Sequence, residues 1–283
     1  MSTADTRPSI LVIGDPSLRE LLDLLAAKQQ WRTDVSISME DALAELSKRS
    51  YNVLITTPAT RASEDLAFYA RVRRAHSRIK LIALSFDGKK NDVIDAIREH
   101  AFSYFHVPFC PDSLMAMIAN ALAEDEWTDG IELLSTRLDW LSLRLSSTAV
   151  TAERVLQFMR ELESDLRPAD RDAIGAALRE ILLNAMEHGG QFDPGSKIVL
   201  SYVRTGRMIL YHLRDPGTGF SLDHLPHSAV GNPEDKPFEH ASYRSEHGIR
   251  PGGFGILMSR KLVDDLLYNE KGNEVLLVKY LSA

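Results

Sequence analysis

The sequence predicts two successive α/β domains, the first built on a doubly wound parallel sheet, and three observations carry that reading. Short β-rich runs alternate with helical ones from Ser9 to about Leu122, composition turns acidic and ends in Gly across 123–130, and helices, a hairpin and a closing strand follow. The chain has 283 residues, 44% of them hydrophobic, enough to bury two cores. Its net charge of −7 argues against a nucleic-acid-binding surface as its main business. The single cysteine, Cys110, forms no internal disulfide and reads as a small core or loop residue. No run of 18 apolar residues occurs and Met1 to Ser9 is polar, so a soluble, cytoplasmic chain without membrane association is expected.

In the first half, Ile10-Leu11-Val12-Ile13 reads as a buried strand, Leu18 to Lys28 as a helix, Thr33 to Ser38 as a weak strand and Asp41 to Arg49 as a second helix. Val53-Leu54-Ile55 and Leu81-Ile82-Ala83-Leu84 are the next strands, each followed by a helix, at Leu66 to Ala75 and Val93 to Glu99. Tyr104-Phe105 runs into Pro108, and Pro111-Asp112-Ser113 opens the last helix, ending near Ala123. Five βα units in this length imply the parallel sheet.

Asp15-Pro16, Arg19, Tyr51-Asn52, Ser85 and Pro108-Phe109 carry a resemblance, spanning this whole half, to response-regulator receiver domains, which implies a flavodoxin-like sheet. The resemblance places Thr57 at the phospho-accepting Asp, Val107 at the Lys before the Pro, and leaves only Asp15 of the metal-holding acids. Without nucleophile and metal-binding charge, transfer to Asp is not expected. The half reads as a pseudo-receiver used for contacts, its Thr56 and Thr57 hydroxyls filling the old pocket; phosphorylation on either threonine is the alternative. The expected division is a pseudo-receiver at 8–124, a linker at 125–134 and a second domain at 135–283.

In that second domain a strand is expected at Trp140 to Leu145, an amphipathic helix at Ala152 to Leu166, and a helix opened by Pro168. At 100° per residue Glu180, Asn184 and Glu187 fall within about 60° of one another, while Ile174, Leu178, Ile181 and Ala185 form a separate apolar stripe. One face packs into a core and the other offers oxygen ligands, of the kind Mg²⁺ takes beside phosphates. Lys197 to Val203 and Met208 to Arg214 read as a hairpin around Arg204-Thr205-Gly206-Arg207. Ile209, Tyr211 and Leu213 share parity with Asp215, so a carboxylate falls on the apolar side at the strand end and needs a hydrogen-bond partner, such as an adenine amino group. A long polar insertion, Ser221 to Pro251, reads as a lid. Its His224, His227, His240 and His247 lack a Cys partner or helical pairing, so zinc is not expected. Gly252, Gly253 and Gly255 then open a helix from Ile256 to Leu266, where backbone N–H groups can approach phosphates, and Val275 to Leu281 closes the sheet.

This ordered set, the Glu-x-x-x-Asn helix, Asp215-Pro216-Gly217-Thr218-Gly219, a lid, Gly252-Gly253-Phe254-Gly255 and a last strand, resembles the ATP-binding fold shared by histidine kinases, type II topoisomerases, Hsp90 and mismatch-repair ATPases (GHKL). Within it the chain looks most like bacterial anti-sigma-factor serine/threonine kinases, over about Ser135 to Leu281. The resemblance implies an α/β sandwich with helices on one face of a mixed sheet, and ATP with Mg²⁺ as cofactors. It implies Glu180 as general base, Asn184 as the Mg²⁺ ligand, and Asp215 as the adenine acceptor. His188, Gly217, Gly219, Phe220, Gly252, Gly253, Phe254 and Gly255 would line the nucleotide with Asn184. The implied partners are a small antagonist protein of the anti-anti-sigma (STAS) type, a sigma factor and a second copy of the chain. Two other readings stay open: a non-catalytic docking module switched by nucleotide occupancy, and a histidine kinase. The latter lacks its phospho-accepting hairpin, since His100 and His106 lie in the first half.

Overall fold

The computed structural model describes residues 7–16, 31–123, 128–137, 139–220 and 254–281. The chain divides into two units, Met1–Asp129 and Gly130–Ala283. In the first, β1 (Ser9–Ile13), β2 (Arg32–Ser36), β3 (Val53–Thr56), β4 (Lys80–Ser85) and β5 (Ser103–His106) form a parallel sheet in the order β2-β1-β3-β4-β5. That is the doubly wound, flavodoxin-like order, with its switch point between β1 and β3. β1, β3 and β4 are buried along their whole length, which is why they read as unbroken apolar runs. The described helices are α1 (Met39–Lys48), α2 (Ala62–Ala75), α3 (Lys90–Arg98) and α4 (Pro111–Ala123). Ser38 caps α1 by accepting from the Asp41 N–H, two residues earlier than the expected start. α2 and α3 also begin earlier than the apolar spacing indicates, because their first turns are polar. The helix expected at Leu18 to Lys28, and Arg19 with it, lies outside the described residues.

The second unit is a six-stranded sheet in the order β10-β11-β9-β8-β7-β6, antiparallel at every described pairing where a mixed sheet was expected. Its strands are β6 (Ile131–Arg137), β7 (Trp140–Ser146), β8 (Lys197–Arg204), β9 (Met208–Arg214), β10 (Asp265–Tyr268) and β11 (Glu274–Tyr280). Residues 131–134, expected in the linker, open β6: Ile131 and Leu133 alternate against Leu145 and Leu143, so burial draws them into the sheet. The described helices of this unit are α5 (Ala149–Leu162), α6 (Pro168–Asn184) and α7 (Gly255–Leu262). α5 starts three residues before the expected Ala152 because Thr148 accepts from the Thr151 N–H at 3.1 Å, and it stops at Leu162 rather than Leu166. The α5–α6 pair is tied by Arg179, whose guanidinium grips both Glu153 oxygens at 2.6 and 2.9 Å.

The helix expected to reach Leu266 ends four residues sooner. Asp264 donates its N–H to Val278 and Leu266 pairs with Leu277, so sheet pairing overrides a short apolar run that fits either period. The β8–β9 turn closes as expected, with Thr205 Oγ1 accepting from the N–H groups of Arg207 and Met208.

Candidate nucleotide site

The site grows from the C-terminal end of α6. Its apolar stripe, Ile174, Leu178, Ile181 and Ala185, is buried as the spacing requires, and Glu180 and Asn184 stand half-buried on another face. The start of α7 comes up against them: a methyl group at position 255 would lie 2.4 Å from Glu180 Oε2 and 3.9 Å from Asn184 Nδ2. Any side chain there would push the Glu180 carboxylate aside. Carboxylate, amide and the first N–H groups of a helix are thus gathered at one point, the donor and acceptor set a phosphate with its divalent cation would use.

Past Asn184 the helix does not continue in α geometry. Ala185–Gly189 form a π turn, closed by Gly190 N–H donating to Ala185 O at 2.8 Å. Ser147 Oγ holds the turn by donating to Met186 O at 2.9 Å. π turns of this kind recur at functional sites. The rewinding takes Glu187 off the regular spacing that put it on one face with Glu180 and Asn184, because the projection holds only for 3.6 residues per turn. His188 is exposed within the turn.

The extra residue places Gly189 beneath the end of β9. A methyl group on Gly189 would lie 2.2 Å from Asp215 Oδ1, and one on Gly217 would lie 2.8 Å from both that oxygen and Gly189 Cα. Asp215 accepts from the Gly217 N–H at 2.8 Å. Burial pushes its carboxyl up from the ordinary range, against the pull of that N–H and of Lys271. Its backbone is clamped by Asn273, whose carbonyl accepts the Asp215 N–H at 3.0 Å and whose side chain donates to Asp215 O at 3.3 Å. Asn269 Oδ1 holds the turn that carries Asn273, accepting from the N–H groups of Gly272, Asn273 and Glu274. Gly219, at φ +77°, takes a left-handed turn that brings it onto Lys271 O, and Phe220 packs edge-on to Tyr268 with centroids 5.1 Å apart.

Of the residues expected at the site, Glu180, Asn184 and Gly255 therefore form one cluster, Asp215 and Gly217 a second, and the π turn joins them. Gly219 and Phe220 pack on the turn before β11, and Phe254 precedes α7, partly exposed. Gly252, Gly253 and the lid with its four histidines lie outside the described residues. Gly189 and Asn273 were missed; the Gly189-Gly190 pair directly after a helix, and the Asn-x-x-Gly-Asn turn before the last strand, were the signals available.

Beneath the sheet's inner face a second polar group supports β9. Tyr211 donates its hydroxyl to the buried Glu163 at the end of α5, and Tyr202 stacks tilted on Tyr211 at 5.2 Å. Burial pushes the Glu163 carboxyl up to about 7, opposed by Tyr211 and by Arg204, which grips Asp165 with two hydrogen bonds.

In the first unit, the position equivalent in topology is the end of β3. Thr57 is wholly buried there, and its Oγ1 accepts the Asp15 N–H at 3.0 Å. A methyl group on Gly14 would lie 2.2 Å from that oxygen.

Among solved structures the chain is similar to a response regulator from Thermotoga maritima, at 17% identity over 42% of this chain and 99% of that one, with a TM-score of 0.39. It is also similar to a putative response regulator from Chloroflexus aurantiacus J-10-fl, at 22% identity over 42% of this chain and 100% of that one, with a TM-score of 0.38. A signal receiver domain of an HD domain-containing protein from Pseudomonas fluorescens Pf-5 gives 20% identity, 41% and 95% coverage, and a TM-score of 0.38. The comparison with curated proteins gives no match. The family described as "Histidine kinase-like ATPase domain" matches residues 145–279, the stretch that holds α6, Asp215 and the start of α7, and this part of the chain is a GHKL-type ATPase domain.

Proposed function

We propose that the chain is an ATP-dependent serine/threonine protein kinase of the anti-sigma-factor type. In this reading it phosphorylates a small antagonist protein of the STAS kind and otherwise holds a sigma factor, in the cytoplasm and as a homodimer. The observation that carries the reading is the meeting of Glu180, Asn184 and the α7 start at Gly255. Mg²⁺ fits the oxygen of Asn184 together with phosphate oxygens, and when bound it would neutralise charge on the phosphates. Glu180 takes the proton of an incoming Ser or Thr hydroxyl as that oxygen accepts the γ-phosphoryl group and ADP leaves. Asp215 accepts from the adenine amino group, while His188, Gly217, Gly219, Phe220, Gly252, Gly253, Phe254 and Gly255 line the nucleotide.

The first unit, 8–124 in this division, acts as a receiver that takes no phosphoryl group. The fully buried Thr57, with Val107 ahead of Pro108, supports that view. Purification of the chain with and without ATP, followed by a phosphotransfer assay on whatever small protein accompanies it, tests the proposal. Phosphate on a Ser or Thr of that protein is the expected result. Mg-ATP binding without any transfer would make the chain a docking module switched by nucleotide, and no binding at all would end both readings.

A further inference from the structure

The first unit buries a carboxylic acid that the strand-end chemistry does not use. Asp65, in α2, is wholly buried. Its Oδ2 accepts from Thr60 Oγ1 at 2.9 Å, and the same hydroxyl lies 2.9 Å from Thr57 O, so one proton serves two acceptors. Asp65 Oδ1 and Thr56 Oγ1 are both buried without completing a hydrogen bond, although the Thr56 hydroxyl is near enough to pull on the carboxyl. α2 packs on β4 and α3, whose buried apolar residues Leu81, Ile82, Leu84, Val93, Ile94 and Ile97 bring no charge; the buried Lys80 opens β4 three residues before Ala83, the partner of Thr56, and donates to Ala121 O, while Lys90, Asp92, Asp95 and Arg98 of α3 stand partly or fully exposed. Glu64 on its own element and Arg61 just before it are exposed and lie 3.9 Å from each other. Among the described residues Glu64 acts on the Asp65 carboxyl through its charge and no cation does, and burial pushes that carboxyl up to about 7.

We propose that the loop from β3 to α2 is a proton-operated latch, closed over Thr56, Thr57 and Thr60 while Asp65 is neutral and loosened when Asp65 gives its proton to solvent. Neutral Asp65 carries a hydrogen on Oδ1 for Thr56 and brings no charge into the core; ionised Asp65 leaves an unpaired charge there. The closed loop binds the proton more tightly than the open one, in which the carboxyl has its ordinary value of 3.8. Closure is accordingly most favoured below that value. It weakens by about tenfold per pH unit as pH rises to about 7, where the closed form also ionises, and then levels off. Acidification tightens the loop that follows β3. A proton then acts at the strand end where Thr57 leaves no acceptor for a phosphoryl group, so the first unit reports acidity through local order.

Amide hydrogen exchange on the full chain, expressed as protection factors so that the intrinsic pH effect is divided out, tests this. Between pH 5 and pH 7 the protection of residues 57–61 should fall by about 50-fold in the wild type and stay level in Asp65→Asn. The ¹³C signal of the Asp65 carboxyl should titrate near neutrality, and Thr60→Val, which removes a donor that favours the charged form, should move that titration upward. Constant protection in the wild type, a wild-type response in Asp65→Asn, or a carboxyl titrating below pH 5 would each overturn the latch. Should Asp65→Asn fail to fold, the wild-type titration and Thr60→Val decide alone.

Discussion

Two strand ends in this chain, that of β3 in the first unit and that of β9 in the second, solve opposite problems with the same residue type. At β3, Gly14 makes room for a hydroxyl that fills its own pocket: Thr57 Oγ1 occupies the space a methyl at Gly14 would take. At β9, Gly189 and Gly217 make room for a carboxylate that keeps acceptor capacity to spare, because Asp215 takes only the Gly217 N–H among the described hydrogen bonds to its side chain. Glycine by itself therefore says little about ligand binding. What separates the ends is the group beside it, a satisfied hydroxyl in one case and an acid raised by burial in the other.

If the second end is the working one, the largest effect should come from Glu180→Gln. It keeps size and packing but removes the base, so phosphotransfer should fall by about 10²–10⁴ while Mg-ATP affinity stays within a few-fold. Wild-type transfer rates in this variant, followed with labelled ATP, would remove Glu180 from the chemistry. Asp215→Asn comes next, because an amide loses a charge-assisted acceptor, and calorimetry should show ATP binding weakened by about 1.5–3 kcal/mol. Gly189→Ala leaves every expected ligand in place, yet its methyl must displace the Asp215 carboxylate. Affinity should drop by about tenfold with no change in Mg²⁺ dependence, and an unchanged affinity would show that the carboxylate seat is not needed.

The acid beneath β9 acts on stability and not on nucleotide affinity. Folded Glu163 titrates at about 7 against an ordinary 4.5. The stability it adds is present below 4.5 and is lost as pH rises towards 7, at no more than about 1.4 kcal/mol per pH unit. Denaturation of the full chain at pH 5 and pH 7 should show that loss, and Glu163→Gln should reduce it, leaving the part that Asp65 supplies over the same range. The smallest expected effect lies at the other strand end. Acetyl phosphate should leave the mass of the chain unchanged, and an acyl-phosphate on Asp15 or any residue of the first unit would erase the contrast between the two ends.

The reach of the sequence follows from how each feature is encoded. β1, β3 and β4 were legible because strands buried on both faces are written as uninterrupted apolar runs. The spacing of Glu180 and Asn184, and the parity that puts Asp215 on the buried side, come directly from helix and strand periods. The π turn was not legible, since Ala185-Met186-Glu187-His188-Gly189 reads as ordinary helix and only the meeting with Asp215 and Ser147 makes the wider turn worth its geometry. β10 was hidden for a related reason: its partner, β11, is supplied by residues still to come. Asp65 fell before the expected helix start at Leu66, and an acid in a polar first turn carries no mark that it faces inward.

The π turn also sets a rule of counting for the second unit. It accommodates one residue more than an α-helix would between Asn184 and Gly190, so the chain from α6 to β8 is sensitive to length where loops ordinarily are not. Deleting one residue there would let the helix run on as α with its ladder of hydrogen bonds intact. It would also close the wide turn that seats Gly189 against Asp215. Such a deletion would be nearly silent to a probe of helix content and costly to nucleotide recognition, which makes Ala185–Gly189 a register mark shared between a helix and a strand end rather than a flaw in either.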